Sequence, residues 1–428
     1  MRPSRAFAGK RYAVLGLARS GLSAVEYLWN SSASVTAWDD REEARDRAAG
    51  KATIADPVEL DLSHFDAVVV SPGVPLNTHP LADKARKAGT PLIGDIELFA
   101  RARPELPPHK VVGITGTNGK STTAALTHHI LETAGIPARL GGNIGNPILS
   151  EQELPEGGVY VLELSSFQID LTRSLDCEVA LLLNITPDHL DRYDDFEAYA
   201  ASKARLFEMQ SAEHLAIIGI DDEPSRAIAA ELRGNRRKVS QISAGGCMDQ
   251  AQWPALQGPH NAQNALAAMA AARECGADEA AIAAALESFA GLPHRMERVA
   301  DRNGILFVND SKATNPTSTA PALAAFPAIH WILGGQAKTD DLAPCEPHFD
   351  HVRAAYTIGE SAAMFERLLT PHMAVRNCGE LRRAVKLAAE AARSGETVLL
   401  SPACASYDQY DNFEQRGDEF RAAVGGLR

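Results

Sequence analysis

The chain has 428 residues, and its 42 Lys and Arg against 55 Asp and Glu give a formal net charge of −13. Its 45% hydrophobic and 23% charged residues exclude a disordered or fibrous chain, and the length is enough for roughly two to four domains. The acidic balance argues against nucleic-acid partners, and no apolar run approaches the roughly 18 residues of a membrane span, so we expect no membrane insertion.

The first hundred residues alternate short apolar runs with helical patterns. Strands are predicted over residues 12–17, 34–38 and 67–70, with a helix over 22–30. This alternation is typical of βαβ units and a parallel sheet.

A glycine-containing turn, Gly16-Leu-Ala-Arg-Ser-Gly21, follows the first predicted strand. A dinucleotide fingerprint has a middle glycine, but Ala18 stands at that position. Asp39 ends the next strand, where such folds place a ribose-binding acid. The turn therefore fits either a diphosphate site at a helix N-terminus or a plain tight turn.

A polar, proline-bearing stretch at residues 101–109 predicts a linker, and the alternation then restarts. A strand over 110–115 and a helix over 121–134 flank Gly116-Thr-Asn-Gly-Lys-Ser-Thr-Thr123. A strict phosphate-binding loop has a glycine where Ile114 stands, but its functional end is present. Gly119 allows the backbone to curve, Lys120 can reach the β- and γ-phosphates, and Ser121 can hold Mg²⁺. We predict that this loop binds a nucleoside triphosphate.

Two fully apolar patterns, over residues 159–164 and 179–184, predict buried strands. Glu163 lies inside the first pattern, and a buried carboxylate is costly unless it is paired or bound to a cation. Mg²⁺ needs few protein oxygens besides water and phosphate, so one carboxylate together with Ser121 would suffice.

Asp188, His189 and Asp191 follow the second buried strand, at an edge where open α/β sheets bind ligands. Beside a phosphate-binding loop, a functional His189 is favoured over a structural one. Asp191 fits a helix cap or a surface acid as well as it fits a metal ligand. Helices are predicted over residues 197–209 and 261–274.

A third series of strands is predicted over residues 305–308, 329–333, 354–358 and 397–400. Polar turns follow three of these strands, and each alone fits an ordinary solvated loop. Three polar turns at the carboxyl ends of strands in one sheet would converge on one rim, which favours a site. Cys404 has no evident base partner in its motif and is predicted to be a small packed residue.

We expect an α/β protein of three domains, covering residues 1–100, 101–291 and 292–428. The six cysteines form no CxxC pair, which is typical neither of a zinc site nor of a disulfide framework and favours the reducing cytosol. They stand at Cys177, Cys247, Cys275, Cys345, Cys378 and Cys404. The basic start of the chain lacks the apolar stretch of a signal peptide, so we expect a cytoplasmic protein, and we expect it to be a monomer.

Assembled, these motifs resemble the Mur ligase family, the ATP-dependent enzymes that form amide bonds in peptidoglycan precursors. The matching segments are Gly116-Thr-Asn-Gly-Lys-Ser-Thr, Gly141-Gly-Asn-Ile-Gly, Glu163-Leu-Ser-Ser-Phe-Gln, Asp188-His-Leu-Asp-Arg-Tyr, His260-Asn-Ala-Gln-Asn264, Leu292-Pro-His-Arg-Met-Glu and Asn309-Asp-Ser-Lys-Ala-Thr-Asn. Asn118 stands where the alanine-adding member would have His, and the Asp-Asn-Pro-Arg motif of the diaminopimelate- or lysine-adding member is absent. The segment at residues 401–417 fits the member that adds D-glutamate.

The resemblance implies a Rossmann-like N-terminal domain for a UDP-sugar, a central P-loop ATPase domain with a mostly parallel sheet, and a Rossmann-like C-terminal domain for the amino acid. The implied substrates are ATP, UDP-N-acetylmuramoyl-L-alanine and D-glutamate. The alanyl carboxylate would attack the γ-phosphate of ATP, and the D-glutamate amine would then attack the resulting acyl phosphate. Two Mg²⁺ ions are implied as cofactors.

The resemblance also implies roles for individual residues. Those implied in catalysis are Lys120, Lys203, His189 and Lys312. Those implied around ATP are Gly116, Thr117, Asn118, Gly119, Lys120, Ser121, Thr122, Thr123, Asn261, Asn264, Arg295 and Asp310. Those implied around the UDP-linked substrate are Arg19, Ser20, Asp40, Arg41, Ser71, Pro72, Gly73 and Asn143. Those implied around D-glutamate are Thr314, Lys338, Ser406 and Phe413.

The resemblance assigns the first Mg²⁺ to Ser121 and Glu163, and the second to His189 and Lys203. An ammonium group cannot ligate a cation. In the family the lysine matching Lys203 is carbamylated by CO₂, which makes it a carboxylate analogue. Without the resemblance, the sequence around Lys203 would predict only a lysine on the surface of a helix.

Three other functions compete with this interpretation. A folylpolyglutamate synthase-like ligase shares the P-loop domain and also adds glutamate, but it would not explain the Gly16–Gly21 turn or the segment at 401–417. A nicotinamide-dependent dehydrogenase would be identified by a change in NAD(P)H absorbance during turnover. A nucleotide-gated binding module would bind ATP and never release phosphate.

Overall fold

The structure is a computed structural model that describes residues 1–245, 249–250, 252–253 and 255–427. Cys247 lies outside these residues; the other five cysteines are buried and reduced. The chain forms two compact units, one of residues 1–243 with 263–286 and the other of residues 244–262 with 287–428. Among the described helices, none is long and apolar enough to cross a membrane.

The first unit begins with a five-stranded parallel sheet in the order β3-β2-β1-β4-β5. Its strands are β1 (Arg11–Leu15), β2 (Ser34–Trp38), β3 (Thr53–Ile54), β4 (Ala67–Val70) and β5 (Leu92–Ile93). The helices that follow them are α1 (Arg19–Asn30), α2 (Glu42–Ala48), α3 (Leu81–Ala88) and α4 (Asp95–Ala102). The connection reverses direction between β1 and β4, so the carboxyl ends of these two strands open a ligand crevice.

A second parallel sheet, of six strands, has the order β11-β10-β9-β6-β8-β7. Its strands are β6 (His109–Thr115), β7 (Ala138–Gly142), β8 (Gly158–Glu163), β9 (Val179–Leu182), β10 (Leu215–Gly219) and β11 (Lys238–Ile242). The accompanying helices are α5 (Lys120–Thr133), α6 (Ser166–Asp170), α7 (Phe196–Glu208), α8 (Glu223–Gly234), α9 (Pro259–Cys275) and α10 (Glu279–Ser288). Strand β6 lies between β8 and β9, which places the loop after it at the switch point of this sheet.

The second unit contains a six-stranded sheet in the order β12-β13-β17-β14-β15-β16. Its strands are β12 (Glu297–Arg302), β13 (Ile305–Asn309), β14 (Ile329–Gly334), β15 (Val352–Ile358), β16 (Ala374–Gly379) and β17 (Thr397–Leu400). Its helices are α11 (Pro316–Ala324), α12 (Ala362–Leu369), α13 (Leu381–Ala391) and α14 (Phe413–Gly425). Only the edge pair β12 and β13 is antiparallel among the described strands.

The first two sheets share one hydrophobic core, which explains why they form one compact unit. Glu97 on α4 strengthens this junction, because its carboxylate accepts hydrogen bonds from the backbone N–H groups of Arg173 at 2.8 Å and Ser174 at 3.0 Å. In addition, the Gly94 N–H donates to the Leu171 carbonyl at 2.9 Å.

The predicted α/β class is confirmed, and several predicted boundaries need correction. The first predicted strand, 12–17, ends at Leu15 because Gly16 has a φ of 85° and turns the chain. Helix α1 then begins at Arg19 and not at residue 22. The predicted strand 179–184 ends at Leu182. The expected domain limits at residues 100 and 291 stay predictions.

Candidate active site

The loop between β6 and α5 is shaped by two glycines. Gly116 has a φ of 149° and Gly119 a φ of 85°, and a side chain at either would be strained. A Cβ on Gly119 would also lie 2.3 Å from Oδ1 of Asn264, so this position has no room for one. The loop therefore brings the first turn of α5 close to α9, and Thr123 donates a hydrogen bond to the same Asn264 oxygen at 3.2 Å.

Asn184, two residues beyond β9, holds the backbone of this loop. Its carbonyl accepts from the Thr117 N–H at 2.8 Å, and its side-chain oxygen accepts from the Asn118 N–H at 2.9 Å. Its amide donates back to the Asn118 carbonyl at 3.2 Å. No role was predicted for Asn184, although a polar residue at the end of the apolar pattern over residues 179–184 was a usable signal.

Lys120 folds over the loop that precedes it. Its Nζ donates to the carbonyls of Gly116 at 2.9 Å and Thr117 at 2.8 Å. A lysine held in this way, at the first turn of a helix whose backbone dipole favours anions, suits the binding of phosphate oxygens. Thr122 follows on the same turn and is half-buried.

Glu163 ends β8 and is only 2% exposed. Its Oε2 accepts from the Ser121 hydroxyl at 2.5 Å, and its Oε1 accepts from the Asn143 amide at 3.0 Å. Among the residues that the structure describes, no basic side chain forms an ion pair with Glu163, and burial of a carboxylate is costly unless it is paired or bound to a cation.

The Glu163 carboxylate and the Ser121 hydroxyl are suitable ligands for Mg²⁺. A carboxylate and a hydroxyl are ligands that the ion accepts, with phosphates and water completing its shell. The described part of the chain holds no cluster of three or more His, Cys, Asp or Glu side chains suited to a metal ion. An ion shared with a nucleotide does not need such a cluster.

Lys203, on the third turn of α7, is 1% exposed. Its Nζ donates to the Gly116 carbonyl at 3.0 Å, the same oxygen that Lys120 contacts, and lies 4.5 Å from the centre of the Tyr199 ring. Burial, followed by repulsion from Lys120, holds the pKa of Lys203 well below its usual range, while Asp188 and Asp170 oppose this shift. Lys203 is thus no surface lysine, contrary to what its motif alone would support.

Tyr199 links this lysine to the loop, since its hydroxyl lies 3.1 Å from Oγ1 of Thr117. Burial raises the pKa of Tyr199, so the phenol stays protonated. Thr117 also donates to the Thr186 carbonyl at 3.1 Å. No role of its own was predicted for Tyr199, because an aromatic residue on a helix is usually a core residue.

His189 lies in the segment after β9 with a φ of 54°, which is unusual for a residue other than glycine. Its backbone N–H donates to the Asp188 carboxylate at 2.9 Å, and its ring packs edge-on against the Phe167 ring, with the ring centres 5.1 Å apart. The strained backbone is consistent with a functional position. Asp191 is exposed, as expected for a surface acid.

Seven of the eight residues predicted to contact the UDP-linked substrate follow the carboxyl ends of β1, β2 and β4, and the eighth, Asn143, follows β7. Ser71 donates to the Gly16 carbonyl at 2.8 Å, which ties β4 to the turn after β1. Pro72 is half-buried, and Gly73 and Asp40 are exposed. From the opposite side, Arg19 donates to the Gly145 carbonyl at 2.6 Å, in the loop that carries Asn143.

Asp39 fixes the same turn. Its Oδ2 accepts from the Leu17 N–H at 2.6 Å, and its Oδ1 accepts from Arg41 Nε at 3.0 Å. Burial alone would raise the pKa of Asp39, but the hydrogen bonds from Arg41 and Leu17 lower it to about 2. The carboxylate is therefore bound to the protein itself at neutral pH.

In the second unit, the three predicted polar turns converge as expected. Ser401 after β17 donates to Oδ2 of Asp310 after β13 at 2.9 Å. The backbone of Gln336 after β14 exchanges two hydrogen bonds with Ala405, at 2.9 and 3.0 Å. Burial raises the pKa of Asp310, which is 7% exposed, to about 7.

Arg416 on α14 holds these turns together, and the sequence interpretation missed it. Its guanidinium is 1% exposed and donates to the Ser311 carbonyl at 2.8 Å and the Cys404 carbonyl at 3.0 Å. It also donates to the Ala405 carbonyl at 3.2 Å. Burial lowers the pKa of Arg416 to about 10. A charged residue in a polar helix segment gave no sign that it would be buried.

Among the residues predicted around D-glutamate, Phe413 contacts these turns, because its carbonyl accepts from the Ser311 hydroxyl at 2.8 Å. Lys312 has its Nζ 4.1 Å from the centre of the Phe413 ring, a cation–π contact. Ser406 is buried, Thr314 is half-buried and Lys338 is exposed. Cys404 is buried and its pKa is raised to about 11 by burial, which confirms its prediction as a packed residue.

The predicted site residues divide between the two units. In the first unit, the phosphate-binding loop and the start of α5 contact Glu163, Lys203 and Asn264, and His189 lies on the segment after β9. Asn261 belongs to the second unit, where its amide donates to the Gln257 carbonyl at 3.1 Å. The other residues of the second unit are Arg295, Asp310, Lys312, Thr314, Lys338, Ser406 and Phe413.

Three family models match the chain in order. The model described as Mur ligase MurD-like, N-terminal domain, matches residues 10–94. The Mur ligase middle domain matches residues 114–256, and the Mur ligase glutamate ligase domain matches residues 294–404.

Two curated relatives carry the name UDP-N-acetylmuramoylalanine–D-glutamate ligase. The one from Novosphingobium aromaticivorans is 62% identical over 99% of this chain and 96% of its own length. The one from Sphingopyxis alaskensis is 61% identical over 99% of both chains.

Solved structures share the fold at low sequence identity. The ADP complex of MurF ligase from Thermotoga maritima is 15% identical over 98% of this chain and 95% of that chain, with a TM-score of 0.62. The UDP-N-acetylmuramate-alanine ligase MurC from the same organism is 15% identical over 98% and 100%, with a TM-score of 0.59.

Proposed function

This chain belongs to the Mur ligase family, and on that premise we propose that it joins D-glutamate to UDP-N-acetylmuramoyl-L-alanine with conversion of ATP into ADP and phosphate. The reaction is a step of peptidoglycan precursor synthesis, and because it consumes ATP we assign it to the cytoplasm. The observation that carries the proposal is the meeting of Lys120, Ser121, Glu163 and Lys203 around one phosphate-binding loop.

The chemistry must overcome the low reactivity of a carboxylate. The alanyl carboxylate attacks the γ-phosphorus of ATP, and the bond to the β–γ bridging oxygen breaks to release ADP. The D-glutamate amine then attacks the acyl phosphate carbon, loses a proton and expels phosphate. Because two anions meet in the first step, catalysis depends mainly on positioning and charge neutralisation.

The loop residues supply part of that positive charge. Lys120 now binds two carbonyl oxygens of its own loop, and we propose that phosphate oxygens take over these hydrogen bonds when ATP binds. The backbone N–H groups at the start of α5 add a fixed dipole on the same side. Gly119, with a φ of 85°, turns the chain into this helix.

We propose that Ser121 and Glu163 hold one Mg²⁺, and that His189 and a carbamylated Lys203 hold a second. Bound there, the ions would neutralise phosphate charge and orient the γ-phosphoryl group. The first assignment is supported by the burial of the Glu163 carboxylate and by the hydrogen bond that it accepts from the Ser121 hydroxyl. Asn143 supports it as well, because its amide fixes the other oxygen of Glu163 at 3.0 Å.

Carbamylation requires a neutral amine, because the nitrogen lone pair must attack the carbon of CO₂ and a proton must leave. The lowered pKa of Lys203 supports this step, since burial and Lys120 both disfavour the ammonium form. The carbamate would carry negative charge beside Lys120. We propose that this attraction offsets the cost of burying it.

For D-glutamate we propose Thr314, Lys338, Ser406 and Phe413, with Lys338 facing a substrate carboxylate. Support comes from the convergence of the turns after β13, β14 and β17, which Arg416 holds together. Lys312, stacked on Phe413, is proposed to stabilise the phosphoryl group in transfer.

Phosphate release across a panel of amino acids tests the function. We expect release only when UDP-N-acetylmuramoyl-L-alanine and D-glutamate are both present, and none with L-glutamate. Lys120→Met should abolish release. Lys110→Met is the matched control, because Lys110 lies at the other end of β6 and donates to the Glu274 carbonyl at 2.9 Å. Turnover with L-glutamate and not the D-isomer would reject the assignment.

A further inference from the structure

Arg192 lies in the segment after β9, three residues beyond His189, and the proposed mechanism does not use it. Its backbone N–H donates to the His189 carbonyl at 2.9 Å, which closes a turn that begins at the strained His189 backbone. The side chain is half-buried. From this turn it contacts two other parts of the first unit, the loop after β4 and helix α6.

The contact with the loop after β4 is a hydrogen bond. Nη2 of Arg192 donates to the Val74 carbonyl at 2.8 Å. The Val74 N–H donates in turn to the Ser71 carbonyl at 3.0 Å, so Val74 closes the turn formed by residues 71–74. The first three residues of that turn are predicted to contact the UDP-linked substrate. Arg192 therefore holds the end of a turn at which we expect the sugar nucleotide to bind.

A second hydrogen bond attaches the segment after β9 to the same loop. The Asn77 amide donates to the Asp191 carbonyl at 2.9 Å. Residues 71–80 and 183–195 belong to no helix or strand, so no backbone ladder fixes either stretch. Hydrogen bonds from side chains to carbonyl groups thus attach the two stretches to each other.

The contact with α6 is made through the ring of Phe167. The guanidinium carbon of Arg192 lies 4.2 Å from the centre of this ring, a cation–π contact. The Phe167 ring packs edge-on against the His189 ring, with the centres 5.1 Å apart, and nearly parallel to the Tyr193 ring, with the centres 5.9 Å apart. The His189 imidazole is therefore packed against a ring that the Arg192 guanidinium covers.

These contacts form one continuous path. It runs from the Val74 carbonyl through the Arg192 guanidinium and the Phe167 ring to the His189 imidazole. A backbone held at a φ of 54° keeps that conformation only because its surroundings impose it. A change in the position of Arg192 should therefore alter the orientation of His189.

We propose that Arg192 is a positioning residue that couples binding of the sugar nucleotide at residues 71–73 to the orientation of the His189 imidazole. This inference rests on the proposed function, and it adds that the UDP-linked substrate helps to set a group proposed to hold Mg²⁺. The coupling is reciprocal, so an ordered His189 should also favour binding of the sugar nucleotide. No covalent bond changes in this step.

Nuclear magnetic resonance of the full chain with ¹³C-labelled histidine rings tests the proposal without metal or ATP. The His189 signal is identified by its absence from the spectrum of His189→Gln. Saturation with UDP-N-acetylmuramoyl-L-alanine should shift this signal in the wild type. Calorimetric titration of the same samples gives the affinity, so each spectrum is compared at full occupancy.

Two variants separate the ends of the path. Arg192→Met keeps the length of the side chain and removes its charge and its hydrogen bond to Val74. It should bind the sugar nucleotide about tenfold more weakly, because the ligand must then order the turn by itself, and its His189 signal should no longer respond at saturation.

Phe167→Leu keeps an apolar side chain and leaves Arg192 able to bind the Val74 carbonyl. Its affinity for the sugar nucleotide should stay within about threefold of the wild type, while the response of His189 is lost. This variant keeps the test valid if Arg192→Met misfolds. The matched control is Arg86→Met, because Arg86 is exposed on α3 and pairs with Asp83 at 2.8 Å; it should behave as the wild type.

An Arg192→Met or Phe167→Leu protein whose His189 signal shifts as in the wild type would overturn the proposal. So would a control that loses the response as Arg192→Met does. A wild type that releases phosphate with both substrates but shows no shift of His189 contradicts only the coupling. A protein that never binds the sugar nucleotide rejects the proposed function and this inference with it.

Discussion

Removing the Lys203 amine gives the sharpest test of the proposed metal ligands. Replacing Lys203 by Ala deletes a side chain that is 1% exposed and contacts the Gly116 carbonyl and the Tyr199 ring. If Lys203 carries a carbamate, the variant loses a negative ligand beside the phosphates. We therefore expect activity to fall by about 10²- to 10³-fold, the effect of losing one group that stabilises charge in the transition state.

The stability cost should be much smaller than the catalytic one. The methylenes of the lysine contribute up to about 3 kcal/mol through their burial. Relief from burying an amine next to Lys120 offsets part of that loss. A net destabilisation of about 1–2 kcal/mol should leave the variant folded at 25 °C, which denaturant unfolding will measure.

Chemical rescue distinguishes a carbamate from a merely structural lysine. Phosphate release by Lys203→Ala should recover in part when acetate or propionate is added, because the small acid can occupy the vacated space and supply the carboxylate. Release by the wild type should fall when CO₂ is removed and recover with bicarbonate. A folded Lys203→Ala variant that keeps full activity would refute the carbamate. So would a variant that small acids do not rescue, if phosphate release by the wild type is also unchanged when CO₂ is removed.

Three further predictions concern single side chains. Glu163→Gln removes the charge but keeps the size, so phosphate release should fall about 10²- to 10³-fold and need more Mg²⁺; an unchanged Mg²⁺ titration would contradict the metal role. Lys338→Ala should raise the KM for D-glutamate about 10- to 100-fold and leave the KM for ATP unchanged. The control is Lys386→Ala, because the Lys386 side chain is also exposed. Equal changes in both KM values would reject a contact between Lys338 and D-glutamate. Asp39→Asn should lower the free energy of unfolding by about 2 kcal/mol at neutral pH. The pKa of Asp39 is lower in the folded state than its usual 3.8, so this contribution to stability is present above about pH 4 and disappears as the pH falls through about 2. Urea unfolding measures the free energy of unfolding of the wild type and of the variant. A difference between the two proteins that does not change with pH would contradict the prediction.

Much of the fold could be predicted because local patterns and the tertiary structure agree. The strands at Ser34–Trp38, Ala67–Val70 and Thr397–Leu400 have the predicted bounds, since each is a short apolar run between turn residues. Strands β3 and β5 were missed because two residues carry no pattern. Charged edge strand β12 was missed because its pairing with β13, and not its own composition, makes it a strand.

The candidate site was predictable where chemistry requires a residue in a fixed local motif. Lys120, Ser121 and the glycines of their loop follow from one continuous segment, and Glu163 followed from a carboxylate inside an apolar strand. Asn184 and Arg416 act through tertiary hydrogen bonds to distant backbone groups, which a single sequence does not reveal. The burial of Lys203 likewise depends on packing of α7 against the loop.

The central claim is that ATP activates the alanyl carboxylate as an acyl phosphate before the amine attacks. Substrate labelled with ¹⁸O in that carboxylate tests the claim directly, by mass analysis of the phosphate released. The account predicts that the phosphate carries one labelled oxygen from the carboxylate, because that oxygen bridges carbon and phosphorus until the amine expels it. Phosphate without label, released at the same rate as the amide forms, would contradict it.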